Sequence, residues 1–179
     1  TVTEKDGRKA GMTYDTAAKT FKVKVFKKNG VMSTVQENQP TFKNTYEASG
    51  EYTPAGTKTL LNENGNKLSV KDNQFKFGVY YAGHEAGEPV ITGTTAGGKD
   101  AAIQFGKLSY TISDLEKLVA KGYADKKVLA DVAEYSINYA VTENAPENSA
   151  LQPNTQIQTF RVVVTDNGSG NLAAKSSYG

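Results

Sequence analysis

Apolar and polar side chains alternate through much of this chain. Tyr135, Ile137, Tyr139 and Val141 interleave with Ser136, Asn138, Ala140 and Thr142. Phe75, Phe77 and Val79 interleave with Lys76 and Gly78, and Phe21, Val23 and Val25 with Lys22 and Lys24. A period of two matches a pleated strand, so these segments predict antiparallel strands with one buried and one wet face. Asn29-Gly30, Asn64-Gly65, Gly97-Gly98 and Asp166-Asn167-Gly168 supply the residues that tight hairpin turns favour. Helical spacing interrupts the pattern once. Ser113 and Glu116 read as a capping box, Leu115, Leu118 and Val119 share a helical face, and Gly122 ends the segment. One short helix among strands predicts an all-β sandwich with a helical crossover rather than repeated βαβ units.

An internal repeat adds the second constraint. Val2-Thr3-Glu4 returns as Val141-Thr142-Glu143, and Thr20-Phe21 as Thr159-Phe160, both 139 positions on. Thr16, Val23 and Val25 return as Thr155, Val162 and Val164 at the same spacing. The Asn29-Gly30 turn returns as Asn167-Gly168 at a spacing of 138, which predicts a hairpin one residue shorter. Residues 1–46 then read as the closing strands of a first repeat. Residues 47–55 (EASGEYTPA) have the composition of a linker, and residues 56–179 form a second repeat. The segment Thr41–Tyr46 is due to recur with its asparagine near position 183, beyond Gly179. The first repeat is therefore expected without its opening strands, and the second without its closing strand.

Composition removes several function classes. No cysteine is present, which excludes thiolate catalysis, disulfides and Cys-ligated zinc, and the single histidine, His84, speaks against a multi-histidine metal site or a Ser-His-Asp triad. The 21 basic and 19 acidic residues nearly cancel, and only Arg8 and Arg161 are arginine, which speaks against specific nucleic-acid reading. No apolar run approaches the ~20 residues that span a bilayer. Asn62–Asn66 and Asp166–Asn171 lack the ligand spacing of a calcium loop and read as turns. Gly93–Gly98 lacks the lysine of a phosphate loop. No cofactor or metal is expected.

The chemistry lies in polar residues that fall on apolar faces. Glu143 is in phase with Tyr135, Ile137, Tyr139 and Val141, and Glu4 with Val2. Asn44 sits between Phe42 and Tyr46 on their face, and Lys58 shares a face with Leu60. Buried unpaired charges cost several kcal/mol, so each such group requires a partner or a changed ionisation state. Strand-end glutamates also often point past the core into water, Asn44 suits a turn, and Lys58 can snorkel. In a desolvated setting the alternative is chemical. A neutral lysine amine attacks the asparagine carbonyl while a protonated glutamate polarises it and carries a proton to the departing ammonia. The product is a Lys–Asn isopeptide bond, formed once and driven by proximity.

At these residues the sequence resembles a known family. The TFKNTY segment, the short linker and GTKTL from Gly56 to Leu60 resemble the junction between streptococcal pilin isopeptide-linkage domains, the B-type, inverse-immunoglobulin modules of Gram-positive pilins and collagen-type adhesins. The resemblance implies an immunoglobulin-like sandwich. It makes Lys58 the crosslinking lysine of a K-T-L motif and Glu143 the assisting acid of Tyr139-Ala140-Val141-Thr142-Glu143, with Ala145-Pro146 following. Asn44 becomes the crosslinking asparagine of the closing strand. Glu4 holds the same acid position in the first repeat. Lys58 and Asn44 belong to different repeats, so the resemblance implies either strand exchange with a neighbouring repeat or copy, a fold-back along the chain, or a Lys58–Glu143 ion pair with no bond.

The implied function is a stalk module of a cell-surface fibre or adhesin, secreted and anchored to the cell wall, with no turnover activity beyond crosslinking itself. Neither anchor nor signal peptide is expected in this segment. A binding module is the alternative, with sandwich loops and Tyr80, Tyr81 and Tyr123 meeting a host protein or glycan.

Overall fold

Backbone pairing follows the alternation, and the structure, a computed structural model, describes residues 1–145 and 150–177. The chain divides into two compact units, Thr1–Glu47 and Ala48–Gly179. Pro146, part of the expected motif after Glu143, lies outside the described residues.

In the first unit, β1 (Met12–Thr13) pairs antiparallel with β4 (Thr45–Tyr46). A hairpin joins β2 (Lys22–Lys28) to β3 (Val31–Glu37) through Asn29 and Gly30, both at positive φ. A two-residue Asn-Gly turn with two left-handed residues matches the strands' own twist. The expected buried face is absent here, because every residue of β2 is exposed. Val23 and Val25 are 50% and 58% exposed, whereas Val162 and Val164, one repeat further on, are wholly buried. The same side chains thus meet water in one unit and core in the other.

The second unit begins earlier than composition indicates. Residues 49–52, inside the expected linker, form β5 (Ser49–Tyr52), paired antiparallel with β11 (Leu108–Thr111). Gly50 lies so close to the backbone of Leu172 that a Cβ there would stand 2.3 Å from its carbonyl oxygen. A glycine read as linker flexibility is in fact a close approach of two backbones.

The main sheet takes the order β15 (Leu172–Ser177), β14 (Gln158–Asp166), β13 (Val132–Glu143), β8 (Lys76–Tyr81), β9 (Ile91–Thr95), β10 (Asp100–Phe105), β6 (Thr57–Leu61) and β7 (Lys67–Leu68). Strand β13 is long enough to hold two neighbours on one edge. Its first half pairs with β12 (Ala124–Leu129) and its second half with β8. The curled sheet, with one helix and no βαβ unit among the described residues, makes the molecule all-β and sandwich-like, as the alternation predicts. The polar face of β13 is less wet than expected. Ser136 and Ala140 are buried, and Ser136 accepts a hydrogen bond from Arg161 Nη2 at 2.6 Å.

The helix, α1 (Ile112–Ala120), starts two residues earlier than Ser113 and Glu116 imply. Thr111 is the cap, its Oγ1 accepting from the Asp114 N–H at 3.1 Å and donating to Asp114 Oδ2 at 2.8 Å. The threonine hydroxyl thereby satisfies one orphan donor of the first turn and is itself held by the acid three residues on. Glu116 is committed elsewhere, accepting from Tyr135 Oη and Lys126 Nζ. Gly122, at φ +75°, closes the helix as expected.

The two units share a register. Val2 bridges Lys19 antiparallel, and Val141 pairs with Gln158 in the same way, each partner 139 positions on. The expected shortened hairpin is corrected by pairing. Lys28 opposes Val31, while Asp166 opposes Leu172 and Asn171 bridges outward to Ser49. The second hairpin therefore carries one residue more between equivalent strand positions. The Asn-Gly identity had been matched at its apparent place rather than at its strand register.

Candidate functional site

Lys58 projects from β6 opposite Ala101 of β10, and Glu143 ends β13 opposite Phe77 of β8. Both neighbours belong to a cluster with Val70 and Phe75, rimmed by Leu60, Ile103, Phe105, Val141 and Leu151. Within this apolar setting Lys58 Nζ donates to Glu143 Oε2 at 2.6 Å, with side-chain exposures of 11% and 4%. Nζ also stands 4.5 Å from the centroid of the buried Phe75 ring. The other carboxylate oxygen, Glu143 Oε1, is buried with no hydrogen-bond partner among the described residues. A buried oxygen left unpaired costs about 1–3 kcal/mol, which marks the place where a donor belongs.

The first unit holds the matching half. Asn44 Nδ2 donates to Glu4 Oε1 at 2.6 Å, and Asn44 Oδ1 accepts from the Asp15 N–H at 3.0 Å. Glu4 Oε2 is buried and unpartnered among the described residues. Asp15 is fixed by its own contacts. Its Oδ1 accepts from the Ala17 N–H at 3.3 Å, and its Oδ2 meets Lys19 Nζ at 2.8 Å, which holds the carboxyl below its usual range. Phase on the strands identified Lys58, Glu143, Asn44 and Glu4. It missed the Asp15 N–H, because a backbone donor leaves no mark in side-chain identity.

Thus Lys58 is brought to Glu143, and Asn44 to Glu4. The structure does not pair Lys58 with Asn44, which have separate partners in separate units.

A groove of about 410 Å³ opens beside Lys58 and Glu143, lined by Gly56, Phe77, Phe105 and Phe160 among others. One wall is formed by β6, where Thr57–Thr59 pair with β10 on one side and β7 reaches only Leu60 and Leu61 on the other. The other is formed by Gln158–Phe160 of β14, paired with β13. The β6 edge beside Lys58 suits the addition of an extended strand.

A family model described as FctA, Spy0128-like isopeptide containing domain, matches residues 1–47 and 54–179. The chain belongs to this family. FctA domains are isopeptide-bearing structural domains of Gram-positive surface pili, so this is a pilin or adhesin stalk domain of extracellular place and not a conventional enzyme. No helix of the FctA chain among its described residues is long and apolar enough to cross a membrane. No curated protein and no solved structure matches it.

Tyr80, Tyr81 and Tyr123, the expected ligand surface of the alternative reading, are half-buried. Tyr81 stacks on Tyr123 at 4.9 Å and on the buried Tyr139 at 5.6 Å, and His84 lies 4.5 Å from Tyr123. Tyr81 and Tyr123 thus spend ring faces on each other and on their neighbours.

Proposed function

We propose that the second unit is a stalk module of a cell-wall-anchored surface fibre, locked when Lys58 forms an isopeptide bond with an asparagine on an added strand of the Phe42–Tyr46 type. The strand comes from a neighbouring repeat or from another copy of the chain. One observation carries this reading. The two glutamates in equivalent repeat positions each hold one reactant and each keep one buried oxygen unpaired. Superposed by the repeat, they describe a single carboxylate with lysine on one oxygen and asparagine amide on the other.

The step balances without any co-reactant. Lys58 passes a proton to Glu143 along their hydrogen bond, and its amine attacks the asparagine Cγ. The Cγ–Nζ bond forms, Glu143 delivers the proton to Nδ2, the Cγ–Nδ2 bond breaks and ammonia leaves, and Nζ gives its second proton to Glu143, which ends as the neutral acid beside a neutral amide. Because β6 lies near the start of the unit, after β5, and the added strand closes it, the bond would carry tension past most of the fold rather than through its hydrogen bonds.

The test is intact mass under denaturing conditions of a chain extended past Gly179 by a second copy of Pro40–Glu47. The expected mass is lower than calculated by one ammonia, and Lys58→Ala and Glu143→Ala each restore the calculated mass. An unreduced mass in the extended parent overturns the crosslink.

A further inference from the structure

We infer that the backbone N–H of Asn154 is the donor that binds the developing oxyanion when Lys58 attacks, a catalytic group in the loop before β14. This rests on the isopeptide reading above and names a further part of that site. In the first unit the carbonyl oxygen that would become the oxyanion, Asn44 Oδ1, already accepts from the Asp15 N–H at 3.0 Å. The position 139 further on from Asp15 is Asn154, as Glu143 is from Glu4. The correspondence extends to the loop itself. Asp15 Oδ1 accepts from the N–H two residues on at 3.3 Å, and Asn154 Oδ1 accepts from the Gln156 N–H at 3.0 Å, so both residues make the same turn. The strand pairing that follows, Val2 with Lys19 and Val141 with Gln158, fixes both loops against their glutamates in one register. Asn154 lines the groove beside Lys58 and Glu143. Its N–H has no hydrogen-bond partner among the described residues.

The geometry assigns complementary roles to the two groups that meet the amide. Glu143 Oε1 takes Nδ2, the side from which ammonia leaves. The Asn154 N–H takes Oδ1, where negative charge grows as Nζ bonds to Cγ. A donor fixed by a turn needs no reorganisation as that charge forms, and losing one such donor typically slows acyl transfer by about 10²–10³-fold. Collapse of the tetrahedral species returns the electron pair to the carbonyl and expels ammonia, so the net change is one amide exchanged for another.

The test mixes the full chain with a synthetic peptide of residues 39–47 and follows the covalent adduct by mass and peptide binding by fluorescence anisotropy. Asn154→Ala keeps the N–H but loses the Oδ1 that braces the turn, so it is expected to slow the reaction far less than Asn154→Pro. Asn154→Pro deletes the N–H and is expected to bind the peptide comparably while reacting about 100-fold more slowly or worse. Proline at the parental rate overturns the assignment. A peptide that binds every variant yet never loses ammonia overturns the Lys58 chemistry, and this assignment with it. If the free peptide does not bind, the chain extended by Pro40–Glu47 decides: crosslinked in Asn154→Ala and open in Asn154→Pro supports the role, and equal crosslinking in both contradicts it. Should Asn154→Pro unfold, an ester in place of the amide at 154 removes the N–H alone, and the same two outcomes apply.

Discussion

Lys58 and Glu143 show why the site is legible in sequence and also where that legibility stops. Each falls on an apolar face by simple counting, and each is found there, because a period of two leaves no freedom about which side a residue takes. Asn44 and Glu4 differ: both lie outside the strands and Asn44 is exposed, so counting picks out the residues there but not a buried face. Counting misses Asp15 and Asn154, since their contribution is a backbone N–H. Their only trace is that two short Asx side chains, each followed by threonine, recur at the repeat spacing. The pair itself makes a prediction about stability. Removing one member of a buried ion pair strands the other, so Lys58→Met should cost about 3–5 kcal/mol. Adding Glu143→Leu should recover most of that loss, because an apolar pair suits the surrounding cluster. Urea unfolding of both variants checks this, and a single substitution costing no more than the double contradicts it.

Among the elements, long alternating strands were readable and short ones were not. Strand β13 has twelve residues of pattern, whereas β5 has four, with a glycine that reads as flexibility and acts as a close packing contact. The helix was visible by its apolar face but misplaced at its cap, because Ser113 and Thr111 both precede an acid by three residues. Strand β11 and strand β13 are joined through a pair of buried hydroxyls, Tyr110 and Tyr139, 3.1 Å apart. Burial raises both phenols far above their usual range, and Tyr139 is raised further by the neighbouring Tyr110. A folded-state value above the unfolded value of about 10 means the unfolded chain releases these protons first, so stability is full below pH ~10 and falls as pH rises past it. Spectrophotometric titration at high pH should therefore show these tyrosines ionising together with loss of the fold. Smooth ionisation of all the tyrosines near pH 10 with the fold intact is the contrary result.

At the scale of the whole molecule, the repeat runs the same experiment twice with different outcomes. Val25 and Val164 occupy one position in two units, the first 58% exposed and the second wholly buried. Val25→Ala should change stability by less than about 0.5 kcal/mol and Val164→Ala should cost about 2 kcal/mol, by thermal or denaturant unfolding. Equal effects would show that the first unit buries this face too. Sequence pattern alone could not separate the two, because it reports which face is apolar and not whether anything covers it.

The central claim is that a strand carrying asparagine turns the second unit into an inextensible link. Single-molecule stretching of the chain extended by Pro40–Glu47, pulled from its two ends, tests it most directly. Between Lys58 and the appended asparagine lies roughly 400 Å of chain at about 3.4 Å per residue. The account predicts that this length is never released in the parent and is released in one unfolding step in Lys58→Ala. The same step in both chains would contradict it.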